Sequence, residues 1–162
     1  MNESAILHIP DSQYCFAVGE KKLGIRLRMA KEDADASVRL IYAGKYQFQQ
    51  SREQIPMEIR YTDRLYHYYE TTLVLTDVRL AYVFCIRQQG TTYYFCEDGV
   101  VLQYDFAEGF YNFFQMPYIN RNDVLPTVKW MKSAVFYQIF VDRFFCGNTK
   151  EDRSYINMEW GA

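Results

Sequence analysis

Leu23-Gly24-Ile25-Arg26-Leu27-Arg28-Met29 decides the fold. Its apolar side chains fall on every second residue, with Gly24, Arg26 and Arg28 between them, the period of a strand buried on one face. The same beat recurs in Val38-Leu40-Tyr42 against Arg39, and in Met57-Ile59-Tyr61 against Glu58 and Arg60. Leu80-Ala81-Tyr82-Val83-Phe84-Cys85-Ile86 is apolar on both parities, as a central strand covered on both faces would be. Turn-forming residues punctuate these runs at Pro10-Asp11, Gly19, Lys31 to Asp35, Gly44, Thr62-Asp63, Thr76-Asp77, Gly90 and Asp98-Gly99. No stretch before Asn120 carries a capped 3.6-residue stripe.

Strands of this length and spacing predict an all-β fold, an immunoglobulin-like antiparallel β-sandwich over residues 1–120. The chain has 162 residues, enough for one domain with a core of its own. Its aromatic share of 18% excludes intrinsic disorder. A net charge of −2 gives no general attraction to nucleic acid or anionic lipid, so neither a nucleic acid nor a membrane is expected as partner. Met1-Asn2-Glu3-Ser4 has neither the basic nor the apolar region of a signal peptide, and a cytoplasmic location is expected. Cys15, Cys85, Cys96 and Cys146 show no C-x-x-C spacing and read as free thiols. A four-residue loop, Gln89 to Thr92, would set Cys85 opposite Cys96; a two-residue loop at Gln89-Gly90 would set it opposite Tyr94.

Composition changes at Asn120-Arg121-Asn122-Asp123, and Val124-Leu125-Pro126-Thr127 continues as a linker. A new apolar strand is expected over Ala134 to Val141, after which Gly147 to Arg153 is polar and builds no further element. The last thirty residues read as the start of a larger unit.

That final stretch carries a family resemblance. Trp130, three residues, then Ala134-Val135-Phe136-Tyr137-Gln138-Ile139-Phe140-Val141-Asp142-Arg143-Phe144 resembles the opening of the catalytic barrel in α-amylase-clan enzymes of the cyclomaltodextrinase, neopullulanase and maltogenic amylase group. Phe114-Gln115-Met116-Pro117-Tyr118-Ile119-Asn120, Ala5-Ile6-Leu7-His8-Ile9-Pro10 and Gly24 to Met29 with Ile41-Tyr42 are similar to that group's N-terminal domain. The resemblance implies an immunoglobulin-like domain over 1–120, in relatives sometimes classed as starch-binding, a linker over 121–133, and the first strand and loop of a truncated (β/α)8 barrel over 134–162. It implies a non-catalytic part of an intracellular α-glucan-hydrolysing glycosidase, acting in substrate access, glucan binding or homodimer formation. A free-standing carbohydrate-binding or protein-interaction module is the alternative. The family's aspartate nucleophile and glutamate acid/base belong to later barrel strands, so no residue here is assigned a catalytic role.

Relatives often bind calcium in the loop after the first strand. Here that loop reads Cys146-Gly147-Asn148-Thr149-Lys150-Glu151-Asp152, a degenerate version in which Asn148, Glu151 and Asp152 are the remaining oxygen donors. Calcium takes six to eight oxygen ligands, so neither calcium nor any other cofactor is expected. His8 and His67 lack metal-site spacing, and Gly19-Glu20-Lys21-Lys22-Leu23-Gly24 has P-loop glycines without the Lys-Ser/Thr that follows them. Glu32-Asp33-Ala34-Asp35 reads as a solvated turn.

Aromatics are the candidate binding residues, because a flat ring can stack on the C–H face of a sugar. In Tyr66 to Glu70, alternation puts Tyr66, Tyr68 and Glu70 on one face, while Leu65, His67 and Tyr69 lead on to Leu73 and Leu75 on the core side. Tyr66 and Tyr68, with Tyr42 and Tyr46 near the neighbouring hairpin, are the candidate contacts for α-glucan oligosaccharides.

Overall fold

The computed structural model describes residues 1–76, 79–109, 111–116 and 128–140. The chain divides into two compact units, Met1–Leu125 and Pro126–Ala162. In the first, nine strands follow one another among the described residues: β1 Cys15–Gly19, β2 Lys22–Ala30, β3 Ser37–Gly44, β4 Glu53–Thr62, β5 Tyr66–Val74, β6 Leu80–Gln88, β7 Thr91–Cys96, β8 Gly99–Val101 and β9 Phe114–Met116. All pair antiparallel, in the order β1-β2-β5-β4-β3-β6-β7-β8, with β9 beside β7 on the far edge of β6. Among the described residues the only helical segments are short 3-10 turns.

One strand closes the sandwich. The first half of β4 pairs with β3, placing Tyr42 opposite Glu53 and Val38 opposite Met57. Its second half pairs with β5, placing Glu58 opposite Glu70 and Tyr61 opposite Tyr68. Pro56 stands just before this change of partner, where β4 is still an edge on its other side and a residue without N–H is tolerated. The two sheets thus folded over each other enclose Leu23, Ile25, Leu27 and Met29 of β2, Val38 and Leu40 of β3, and Leu80, Tyr82, Phe84 and Ile86 of β6. The opposite parity of β6, Ala81 and Val83, is covered from outside by Phe48, Tyr104 and Phe113. Alternation on β2 and double burial of β6 are therefore both realised.

The Met57-Ile59-Tyr61 stripe is not buried along its length. Met57 is in the core, but Ile59 and Tyr61 are exposed. A register shift between Ile59 and Tyr61 inserts Arg60 as an extra residue, which moves Tyr61 to the outer parity beside Tyr68. Leu65 also departs from its expected core direction: it sits exposed in the β4–β5 turn, whereas Tyr69 and Leu73 do point inward. At the β6–β7 hairpin the loop is the two-residue form. Gln89 and Gly90 have φ of 50° and 80°, Gln88 faces Thr91, and Cys85 faces Tyr94. Cys15, Cys85 and Cys96 are free thiols; Cys146 lies outside the described residues.

The acidic turn corrects a second expectation. Asp33 is 5% exposed, not solvated. Its carboxylate accepts from the Asn2 backbone N–H at 2.9 Å and from Gln88 Nε2 at 3.0 Å, and lies 3.8 Å from the α-amino group of Met1. Asp35 takes the other bond from Gln88 Nε2, at 2.6 Å.

Gly24 lies under an aromatic ring. It faces Phe16 across β1 and β2, and a Cβ on it would lie 2.6 Å from the Phe16 ring, which covers that part of the outer face. The turn between Gly19 and Lys22 joins two strands, so the glycine spacing there serves a hairpin rather than the phosphate loop that a following helix would require.

Of the second unit, Lys129–Ser133 forms a 3-10 turn, with the Ser133 hydroxyl donating to the Trp130 carbonyl at 3.2 Å. Residues 134–140, the expected barrel strand, belong to no ladder among the described residues, and a barrel strand needs neighbours to supply one. Val135 is 95% exposed, and Phe136, Tyr137, Ile139 and Phe140 are exposed as well. Val141, most of the linker over 121–133, and Asn148, Glu151 and Asp152 of the calcium-type loop lie outside the described residues.

Candidate functional site

The four candidate tyrosines occupy two ends of the sandwich. Tyr66 and Tyr68 begin β5 beside the β4–β5 turn; Tyr42 ends β3, and Tyr46 lies in the β3–β4 connection. Glu53, opposite Tyr42, and Tyr61, opposite Tyr68, are eight residues apart on β4, or about 25 Å at ~3.3 Å per residue. One short oligosaccharide cannot lie on both pairs.

At the β5 end, Asp63 organises the turn. Its Oδ1 accepts the N–H groups of Leu65 at 2.8 Å and Tyr66 at 2.7 Å, and its Oδ2 accepts the Tyr68 hydroxyl at 2.8 Å. The Leu65 N–H is the largest of the influences that hold the Asp63 carboxyl below the usual range. Burial, reinforced by the neighbouring Asp63 charge, pushes the Tyr68 phenol up to about 12. The Arg28 guanidinium lies 4.2 Å from the centre of the Tyr66 ring. Tyr61 and Tyr68 tilt together with ring centres 5.3 Å apart. Tyr66 and Tyr68 thus share the outer face, but both are half-buried and already partnered; the open ring is Tyr61, 59% exposed. Sequence reasoning missed Tyr61 because its parity assigns it to the core until the extra residue at Arg60 turns it outward.

At the other end, the Tyr42 hydroxyl donates to Glu53 Oε2 at 2.7 Å, and burial together with that carboxylate raises its phenol to about 12. Tyr46 is 70% exposed, with Arg79 donating to its hydroxyl. Beside Tyr42 an open cleft of about 150 Å³ is lined by Gln47, Arg52, Glu53, Thr76 and Arg79 among others, and Arg79 joins it to Tyr46. Charged and amide groups beside an open phenol ring can bind hydroxyls while the ring stacks on a C–H face.

Neither histidine serves these surfaces as a ligand. His67 Nδ1 pairs with the Thr62 hydroxyl at 2.8 Å. His8 is in the core: Nδ1 lies 2.7 Å from the Arg26 carbonyl, and Nε2 2.8 Å from the Tyr82 hydroxyl. A carbonyl only accepts, so Nδ1 carries the proton and Nε2 accepts from Tyr82. Burial lowers the His8 pKa to about 4, against a smaller raising effect of the Arg26 carbonyl. Among the described residues no three His, Cys, Asp or Glu side chains gather as a metal site would require.

An antiparallel sandwich with one strand shared between its sheets is an immunoglobulin-like fold. Residues 1–120 match the family model described as alpha amylase, N-terminal ig-like domain, and the chain belongs to that family. A cyclomaltodextrinase of Thermoanaerobacter pseudethanolicus (strain ATCC 33223 / 39E) is 32% identical over 161 residues, 99% of this chain and 28% of that protein. A maltogenic alpha-amylase of Bacillus acidopullulyticus is 30% identical over 165 residues, again 28% of its length. A solved cyclomaltodextrinase superposes with a TM-score of 0.73 at 29% identity, covering 94% of this chain and 26% of that one. The chain therefore spans little more than a quarter of the curated relatives it matches.

Proposed function

We propose that the chain is the non-catalytic N-terminal domain of an α-glucan-hydrolysing glycosidase, contributing glucan contacts and subunit association to an active site built elsewhere. The observation that carries this reading is the family match over residues 1–120, in relatives whose remaining length is that of glycosidases. The run of exposed apolar side chains from Val135 to Phe140 supports it, because a free-standing module gains nothing from such a segment. Substrates of the whole protein are α-1,4-linked glucans: cyclodextrins, pullulan or maltooligosaccharides. Cytoplasmic residence belongs to the same proposal and is supported by three free thiols, two of them buried.

Two aromatic surfaces offer themselves to glucan: Tyr61 with Tyr66 and Tyr68, and Tyr46 beside Tyr42. A small stacked site of this kind binds in the millimolar to high micromolar range, roughly −4 to −6 kcal/mol. Titrating maltoheptaose into the chain while following backbone amide shifts tests it. Saturable shifts are expected at one of the two ends, and Tyr61→Ala or Tyr46→Ala should remove those at its own end only. Shifts at neither end at tens of millimolar, roughly ten times the weakest affinity expected, would leave association as the domain's sole role.

A further inference from the structure

On the outer face of β3, β6 and β7 lies an open groove of about 610 Å³. It continues the outer apolar layer past the point where Phe48 and Phe113 cover it, with Ile41, Leu102, Tyr94 and Tyr104 along its apolar side. Ser37, Thr92, Gln54 and Gln103 supply its neutral polar groups, and its charge comes from Arg39 and Arg87. No carboxylate lines it among the described residues. This is a concentration of +2 in a chain whose net charge is −2.

The register explains how the two guanidiniums meet. Arg39 of β3 faces Cys85 of β6, and Ser37 faces Arg87, so the arginines are diagonal neighbours on one sheet face, about 7–8 Å apart at the backbone. Both side chains are exposed, and no carboxylate among the described residues lies between them. Arg39 makes no hydrogen bond or ion pair there, and Arg87 has a single long contact, Nε to the Thr92 hydroxyl at 3.4 Å. By contrast, Arg26 on the opposite sheet donates twice to Glu70, at 3.0 and 2.7 Å.

We propose that this groove binds the phosphate monoester of a small sugar, its phosphate between Arg39 and Arg87. A phosphate monoester carries close to two negative charges near neutral pH and several acceptor oxygens, which two guanidinium forks match in charge and geometry. Gln54, Gln103, Ser37 and Thr92 are donors and acceptors for the sugar hydroxyls, and Tyr94 with Leu102 offers its C–H face an apolar wall. The site is distinct from the two aromatic ends and stands whether or not those bind neutral glucan.

Cys85 supplies a built-in reporter. Its half-buried thiol lies on the groove floor opposite Arg39, where burial raises its pKa while the charges of Arg87 and Arg39 work against that rise. A dianion seated on the arginines removes their help to the thiolate and shields the sulfur.

The test titrates the full chain with glucose 1-phosphate, inorganic phosphate and maltose, following amide shifts and, in a Cys146→Ser background, the alkylation rate of Cys85 by iodoacetamide. With glucose 1-phosphate, saturable shifts are expected at residues 37–41 and 83–87 with a Kd below about 1 mM, and alkylation about threefold slower or more at saturation. Inorganic phosphate should bind several-fold more weakly, and maltose should have no effect. Arg39→Gln and Arg87→Gln should each weaken binding about tenfold, the loss of one charge-assisted contact, without lowering the melting temperature. Absence of shifts with either phosphate at about 10 mM overturns the proposal, as do an equal response to maltose, inorganic phosphate binding as tightly as the ester, or unchanged affinity in both arginine variants. Because maltoheptaose binding at the aromatic ends is read at different residues, the two readings fail separately.

Discussion

Tyr82 and His8, 74 residues apart in sequence, meet inside the sandwich with the phenol hydroxyl donating to the imidazole at 2.8 Å. Tyr14, Tyr82, Phe84 and Phe114 meet the imidazole edge-on, and this burial disfavours the imidazolium. His8 is therefore held neutral.

Its linkage to stability has a definite sign. The unfolded histidine takes up a proton near pH 6.5, while the folded one does so only near pH 4. The contribution is intact above pH 6.5 and is lost progressively as pH falls toward 4, a total of about 3 kcal/mol. Urea melts at pH 7 and at pH 4.5 measure it. His8→Gln should abolish this part of the pH dependence while costing about 1–3 kcal/mol at pH 7, where the Tyr82 and Arg26 groups lose their partner.

The carboxylate of Asp33 ties the start of the chain to the end of β6. Asp33→Ala leaves the Asn2 N–H without its acceptor and deprives both the Met1 amine and the Gln88 amide of a partner. A loss of about 2–4 kcal/mol is expected, read as a lower melting temperature. Asp35→Ala, which leaves Gln88 its bond to Asp33, should cost distinctly less.

Phe16 and Gly24 should prove energetically coupled. Gly24→Ala forces the ring aside at a cost of about 1–3 kcal/mol. In a Phe16→Ala background the same substitution should cost at least about 1 kcal/mol less, the coupling expected of side chains in contact. Equal costs in the two backgrounds would mean that the β1–β2 pairing, not the ring, sets the requirement.

Incubation of the chain with cyclodextrins, pullulan or maltotriose should release no reducing sugar above a blank. Retaining hydrolysis needs a carboxylate nucleophile and a second carboxyl as acid/base about 5–5.5 Å from it, both flanking a bound glycosidic bond. Glu58 and Glu70 face each other across β4 and β5, but Glu70 is tied to Arg26. Turnover that follows the protein through purification, and is lost in Glu58→Gln, would refute the non-catalytic reading.

Much of the sandwich is legible because burial and alternation coincide. Leu23, Ile25, Leu27 and Met29 are fully buried, as their spacing requires, and Leu80 to Phe84 has cover on both sides. Features that depend on one extra residue or a distant partner are not legible in this way. Nothing local marks Arg60 as the residue that turns Tyr61 outward, and Asp33 looks like any turn acid until Met1 and Gln88 arrive from 32 and 55 positions away. The choice between Tyr94 and Cys96 as the residue facing Cys85 turned on whether Gln89 would accept a positive φ. The candidate site divides along the same line: parity placed Tyr66 and Tyr68 on the outer face, but Arg28 over Tyr66 and Tyr61 against Tyr68 come from neighbouring strands whose register alternation does not specify.

Because β4 gives its first half to one sheet and its second to the other, neither layer can peel away without breaking a covalently continuous strand out of both ladders. Breathing motions of the sandwich are thereby channelled to its free margins, β1 on one side and β8 on the other. In a hydrogen-exchange experiment, amides on either side of Met57 should open only with global unfolding, while those of β1 and β8 exchange through cheaper local events. A ligand or a second subunit engaging either end of β4 would then be felt by both layers at once, with the strand acting as a tie-rod between the aromatic surface at Tyr61 and the one at Tyr42.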